Sequence, residues 1–341
     1  MSIAVTMAGA AERLRVPDPL LRLGINSLVA RTRRNLTHAP QETAAFAASM
    51  ADDPIALHTA DANRQHYELP PEFFGLVLGP RRKYSCGLYP TGRESLEEAE
   101  EHALEETAAH AGLADGQDIL ELGCGWGSLS LFMAARFPAS RITAVSNAGA
   151  QRGHIEARSR TLGLGNLRVI TADMNDFVPD GRYDRVVSVE MFEHMANWRG
   201  LLRRIRGWLK PEGRLFLHVF AHAHTPYRFD HANQADWIAR HFFTGGIMPN
   251  HALASSFPDL FTLERDWRWS GTHYARTARA WLGNYDRHAE QIRPLLADVY
   301  GPEAMVWIRR WRLFFLATEA LFGHGGGKPW GVSHYLLAPT P

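Results

Sequence analysis

The chain has 341 residues, 45% of them hydrophobic and 21% charged, which is ordinary globular composition, long enough for one large domain with an appendage. Lys plus Arg number 37 and Asp plus Glu 36, and a formal charge of +1 excludes the clustered basic excess of a large nucleic-acid footprint. Two cysteines, Cys86 and Cys124, exclude a disulfide framework and a cysteine-rich zinc site, and fit a reducing, cytoplasmic compartment. The opening MSIAVTMAGAAERLRVPDPLL lacks a basic start followed by an apolar run and reads as no signal peptide. No stretch approaches the ~20 apolar residues of a spanning helix. LRRIRGWL and WIRRWRLFFL are basic and aromatic, which fits helices packing an aromatic face on a core, with at most peripheral membrane contact. The histidines offer no metal site, because His222 and His224 are only two apart and no carboxylate sits at zincin spacing.

In chain order, residues 1 to about 80 read as helical, with breaks at Pro17, Pro19, Pro54 and Pro70-Pro71. Residues 95 to 113 form a strong helix pattern in which Ser95 and Glu98 make a capping box. The rhythm then alternates: QDILELG strand, GSLSLFMAARF helix, RITAVS strand, AQRGHIEARSRTLGL helix, LRVITAD strand, RYDRVVSVE strand, WRGLLRRIRGWL helix, GRLFLHVF strand. Short apolar runs alternating with helices predict a doubly wound parallel α/β sheet. Residues 221 to about 310 break the alternation and read as a helical insertion over the sheet, with helices at ADWIARHFF, ARTARAWLGNYDRHAEQIRPLLADVY and EAMVWIRRWRLFFLATEALF. GVSHYLLAP looks like a last strand. The expected organisation is an N-terminal helical arm or lid over 1–94 and a catalytic domain over 95–341. The arm either covers the site or mediates a homodimer, and its pattern does not decide.

Glu121-Leu122-Gly123-Cys124-Gly125-Trp126-Gly127 lies between a strand and a helix, where glycines let the backbone turn tightly and approach a ligand. A dinucleotide loop of this kind carries an acid for the ribose about 20 residues on. Here the second strand ends Val145-Ser146-Asn147 without one, and the leading Glu121 suits a cationic group better than a pyrophosphate. The third strand ends Thr171-Ala172-Asp173-Met174, and Asp173 is placed either to accept from an adenine amino group or to cap the following turn. The fourth ends Val189-Glu190-Met191-Phe192-Glu193-His194, an expensive place for two carboxylates and an imidazole unless they are used or paired. On a helical turn Glu190, Glu193 and His194 share one face and suit general-base work, although a capped helix start with an ion pair uses the same residues.

HYELPPEFF (66–74), KYSCGLYP (83–90), LELGCGWGSLSL, AVSNAGAQR, ITADMNDF, DRVVSVEMFEHM, HFFTGGIMPN (241–250), GTHYARTARAWL (271–282) and FGHGGGKPWGVSHYLL together resemble the cyclopropane-fatty-acid synthase superfamily of methyltransferases. The long arm and the Trp330 segment resemble its coclaurine N-methyltransferase-like branch. The resemblance implies a Rossmann-like class I methyltransferase using S-adenosyl-L-methionine. It implies that Tyr84 and Ser85 contact the cofactor's methionine end, that Glu121, Gly123, Gly125 and Gly127 hold its amino-acid part, that Ser146, Asn147 and Gln151 hold its ribose, and that Asp173 and Met174 hold its adenine. It implies further that Glu190, Glu193 and His194 line the amine site and assist deprotonation of the amine, with Glu190 also bordering the cofactor. The alternative within the superfamily is methylene transfer to an unsaturated phospholipid chain with a bicarbonate base, for which Cys86, Glu193, His218 and Tyr274 match the residue types. Phe220 adds bulk where an acyl tunnel needs room. Tyr227, Phe229, Trp237, Phe242 and Trp330 offer either core packing or a pocket for a cationic acceptor. A binding protein without catalysis has no use for Glu190, Glu193 and His194 together. The expectation is methylation of a small aromatic amine, with the lipid acyl chain as the alternative acceptor.

Overall fold

The computed structural model describes residues 9–57, 69–234 and 236–341. Residues 1–8 and 58–68, which hold part of the stretch expected to be helical and the start of HYELPPEFF, and Ala235 of ADWIARHFF lie outside the described residues. Prolines mark helix starts. Pro17 precedes the helix Asp18–His38, Pro19 sits in its first turn, and Pro71 opens the helix Pro71–Val77. Proline fits there because the first-turn N–H groups have no helical acceptor. The helix Leu96–His110 begins at the expected capping box. Ser95 Oγ accepts from the Glu98 N–H at 3.2 Å, and Glu98 Oε2 accepts from the Ser95 N–H at 2.8 Å.

The central sheet has seven strands in the order β3-β2-β1-β4-β5-β9-β8. They are β1 (Asp118–Leu122), β2 (Arg141–Ser146), β3 (Leu167–Thr171), β4 (Tyr183–Val189), β5 (Leu209–His222), β8 (Phe261–Ser270) and β9 (Trp330–Pro339). β6 (Tyr227–Arg228) and β7 (Ile247–Met248) pair separately. The first five strands in that order are parallel, as the alternation predicts. β9 runs antiparallel between β5 and β8, so the sheet is mixed. The β5–β9 register sets His218 opposite His334.

β8 corrects the expected helical insertion over 221–310, because FTLERDWRWS, in the middle of that segment, is an edge strand of the sheet. Its alternation is hidden by charged residues on the open side, which is how edge strands resist pairing with other chains. The single long helix expected over 275–300 is two, Gly271–Arg287 and Ala289–Tyr300, parting at His288. The helix Asp18–His38 docks on the helix Ala304–Gly323 through Arg312–Asp18 at 2.7 Å and Arg22–Glu319 at 2.9 Å. Among the described residues no helix is long and apolar enough to cross a membrane.

Removing the cap oxygen leaves helix N–H groups without an acceptor. Ser95→Ala is expected to lower unfolding free energy by about 1 kcal/mol, read as a lower urea midpoint at unchanged slope.

Candidate functional site

A cavity of about 1210 Å³, its open mouth included, lies at the carboxyl ends of the parallel strands. The strand order reverses between β1 and β4, and such a switch point opens a crevice beyond the strand ends. Each strand delivers the residues that follow it: Glu121, Gly123 and Gly125 from β1, Ser146, Asn147 and Gln151 from β2, Asp173 and Met174 from β3, Glu190 and His194 from β4. Tyr84 and Ser85 close it from the loop ahead of the helix Leu96–His110, and Ala56 and Leu57 from the N-terminal region. Ala56 is held against the wall because Asn175 accepts its N–H at 3.0 Å, while Ile55 O accepts from the Ala196 N–H at 2.8 Å.

The glycine loop is built for close approach. Gly123, Gly125 and Gly127 have φ of 79°, 51° and 83°, which L side chains adopt only with strain. A Cβ at Gly123 would stand 2.6 Å from the Met191 side chain, and one at Gly127 2.6 Å from Ile155. Glu121 is buried, with Ser130 Oγ donating to its carboxylate. Ser146 Oγ donates to Gln151 Oε1 at 2.6 Å. That leaves the Gln151 amide N–H₂, together with Ser128 Oγ and the Trp126 ring N–H, buried on the cavity lining without a hydrogen-bond partner among the described residues. Buried donors without partners are uncommon in a finished fold, so these point to a polar ligand. Asp173 caps the turn, its Oδ1 accepting from the Asn175 N–H at 2.8 Å, and the residue also lines the cavity.

Glu190 departs from the helical turn expected for it. Its φ is +49°, a strained value for a non-glycine residue, and the turn of 3₁₀ helix begins only at Phe192. Its carboxylate accepts from the Cys86 N–H at 3.0 Å and the Tyr274 OH at 2.6 Å, and lies 3.3 Å from His218 Nε2. Burial pushes the carboxyl up, while Lys83, Tyr274 and the Cys86 N–H oppose the shift. Glu193 is fully buried behind the wall, off the cavity lining. One oxygen accepts from the Phe220 N–H at 2.6 Å, and the other has no partner among the described residues. Burial, and then the neighbouring Glu190 charge, push it well above the usual carboxylate range. His194 lies on the lining with its ring stacked on Phe243 at 4.7 Å.

Cys86, His218, Tyr274 and Gly127 support the site from outside the lining. None of Tyr227, Phe229, Trp237, Phe242 and Trp330 reaches it. They pack in an aromatic core, Phe242 against Phe314 at 4.4 Å and Trp330 N–H onto Tyr227 OH at 3.2 Å. The sequence reading missed Glu100 and gave Lys83 no role. Glu100 is buried and accepts from the N–H groups of Gly79, Arg81 and Lys83, at 3.1, 2.9 and 3.3 Å, so it shapes the loop that delivers Tyr84 and Ser85. Its signal was position: on the helix it shares a face with Ala103, Leu104 and Thr107. Lys83 Nζ donates to Ser85 Oγ at 2.6 Å and to Cys86 O at 2.7 Å, putting a buried positive charge beneath Glu190.

Burial pushes Glu121 up to about 7, with Ser130 opposing. An acid raised above its unfolded value stabilises the fold while protonated, and that stability is lost as pH rises through the folded value. Ligand-free Glu121→Gln is therefore expected to gain in melting temperature over the wild-type chain between about pH 5 and about pH 8, whereas a gap that stays constant would contradict this titration.

The family described as mycolic acid cyclopropane synthetase matches residues 56–327. The (S)-coclaurine N-methyltransferase of Thalictrum flavum subsp. glaucum is 34% identical over 308 residues, 89% of this chain and 82% of that one. The cyclopropane-fatty-acyl-phospholipid synthase of Escherichia coli (strain K12) is 31% identical over 240 residues, 70% of this chain and 58% of that one. A crystal structure of coclaurine N-methyltransferase bound to N-methylheliamine and SAH superposes with a TM-score of 0.92 at 31% identity, covering 99% of this chain and 100% of that one. With its glycine loop, its buried acid and this similarity along most of its length, the chain belongs to the mycolic acid cyclopropane synthetase family and is an S-adenosylmethionine-dependent methyltransferase.

Proposed function

We propose that the enzyme transfers a methyl group to the nitrogen of a small aromatic amine, in the cytoplasm, using Glu190, Glu193 and His194 to manage the amine proton. The residues present fit S-adenosylmethionine. Buried Glu121 would meet the cationic amino-acid end, the Gln151 amide N–H₂ beside Ser146, without a partner among the described residues, would meet the ribose, and Asp173 and Met174 would hold the adenine. When bound, that group supplies an electrophilic methyl on a sulfonium.

The observation that carries the amine reading is the position of the Glu190 carboxylate. Cys86, His218 and Tyr274 are residue types that the resemblance assigns to a bicarbonate. Here the Cys86 N–H, the Tyr274 OH and His218 Nε2 all converge on a carboxylate of the chain itself. A tethered base leaves the bicarbonate without a place. The (S)-coclaurine N-methyltransferase relative and the solved structure holding N-methylheliamine support the same reading.

An alkylamine is largely protonated at neutral pH, with a pKa near 10 by the lysine reference, and has no lone pair until a proton leaves. Burial raises both carboxyls, Glu193 further because the Glu190 charge adds to it, while Lys83, Tyr274 and the Cys86 N–H favour the ionised form of Glu190. Glu190 and His194 on the wall take the amine proton, and Glu193 assists from behind. The remaining contribution is positioning of the freed nitrogen.

Incubation with labelled S-adenosylmethionine and either an amine panel or unsaturated phospholipid vesicles separates the acceptors. Label in amine product without added bicarbonate is expected, while label confined to the chloroform-soluble lipid would overturn the reading. Glu190→Gln and His194→Ala are each expected to lower kcat by about 10²-fold or more with cofactor affinity retained.

A further inference from the structure

A line of imidazoles leads away from the cavity. Glu190 Oε1 lies 3.3 Å from His218 Nε2, His218 Nδ1 lies 2.8 Å from His334 Nε2, and His334 Nδ1 lies 2.7 Å from His110 Nδ1. His110 Nε2 lies 3.0 Å from Glu106 Oε1. All six ring nitrogens are thereby engaged. The sheet register sets the middle of the line, because His218 and His334 are direct partners across β5 and β9. Trp267, the β8 partner of His334, stacks on His110 with centroids 3.8 Å apart. His218 and His334 are fully buried, the His110 side chain is 10% exposed and that of Glu106 44%, so the line runs from cavity wall to solvent. Two nitrogens on one tetrahedral metal stand about 3.3 Å apart, given ligand distances near 2.0 Å, so spacings of 2.7 and 2.8 Å are those of hydrogen bonds.

We infer that Glu190, His218, His334, His110 and Glu106 form a proton relay that carries the proton given up by the methyl acceptor to solvent. The inference rests on the amine reading for the source of that proton. With both carboxylates ionised, the four links need four protons, and three neutral imidazoles supply three. The missing one is the amine's. It arrives on Glu190 as the N–H bond breaks and its electron pair forms the N–C bond, while the methyl carbon's bond to sulfur breaks and leaves its pair on the sulfur. Glu190 then protonates His218 Nε2 as His218 Nδ1 passes its proton to His334. His334 passes its own to His110, and His110 Nε2 releases one to Glu106 and water. Each ring is neutral before and after, which suits rings that burial holds well below the usual imidazole range at His218 and His334. Lys83 at the inner end opposes a lasting charge there, while at His110 Glu106 favours the cation and Arg265 opposes it. Passage leaves the tautomers reversed. Once product departs, one proton returns from solvent along the line to Glu190 and leaves through the open cavity mouth, so the relay takes the proton out of the cavity during methyl transfer and is reset between turnovers.

His334→Phe and His110→Phe keep the aromatic packing and cut the line. Each is expected to lower kcat by about 10²-fold with KM and cofactor affinity held, and added imidazole should restore part of the loss for His110→Phe. A second readout needs no turnover: nitrogen-15 NMR of the histidine rings reports which nitrogen carries each proton. Glu106→Gln, on the exposed side, should change the tautomer balance of His334 and His218, two and three links away. If the folded His→Phe variants keep wild-type kcat, or Glu106→Gln alters His110 alone, the relay is wrong. If either buried variant fails to fold, His110→Gln at the exposed end carries the kinetic test. A wild-type chain that methylates no amine but shows coupled tautomers refutes the amine reading and leaves the relay standing.

Discussion

The site depends on one buried charge. Glu190 follows β4 directly, at φ +49°, with its carboxylate among the Cys86 N–H, the Tyr274 OH and His218. A carboxylate in that place is tolerable only when hydrogen-bonded and near a positive charge. Much of the surrounding structure meets that need. Lys83 is buried 3% exposed to face it, and Lys83 in turn requires Ser85 Oγ and Cys86 O to receive its protons. Glu100 fixes the loop that carries Lys83, and Gly79 must be glycine because a Cβ there would stand 2.5 Å from the Glu100 carboxylate. The loop that frames this carboxylate is thus the same loop that delivers Tyr84 and Ser85 to the cavity.

Placement by strands explains why so much of this was legible in the sequence. Short apolar runs between helices located β1 to β5, and in a parallel sheet the residues after each strand's carboxyl end face one crevice. Glu121, Ser146, Asp173 and Glu190 could therefore be assembled without coordinates, and all four line the cavity. What stayed hidden was set by contacts across the sequence. β8 is an edge strand whose charges mask its alternation, and its partner β9 lies some sixty residues on. Glu100 and Lys83 look like members of ordinary charged stretches until the fold buries them. Whether Glu193 faces the cavity or the core depends on a backbone turn that spacing alone does not fix, and the fold turns it toward Phe220.

Burial shapes the chemistry at every step. It raises Glu193, Glu190 and Glu121, and keeps His218 and His334 neutral. A carboxylate held this way is a stronger base than one in water, and its strength is set by donors that stay in place through the reaction. The proposed base, Glu190, is tethered to the chain, whereas the bicarbonate that the resemblance implies for the acyl-chain alternative would be bound from solution.

Chemical rescue tests that claim most directly. In Glu190→Gly the Cys86 N–H, the Tyr274 OH and His218 Nε2 face a space the size of a small carboxylate, and glycine suits the positive φ. Amine methylation by this variant should be lost and then restored by added formate or bicarbonate, while the wild-type enzyme stays indifferent to either. Wild-type activity that rises with bicarbonate, or a variant that keeps its rate without any anion, would contradict a tethered base at Glu190.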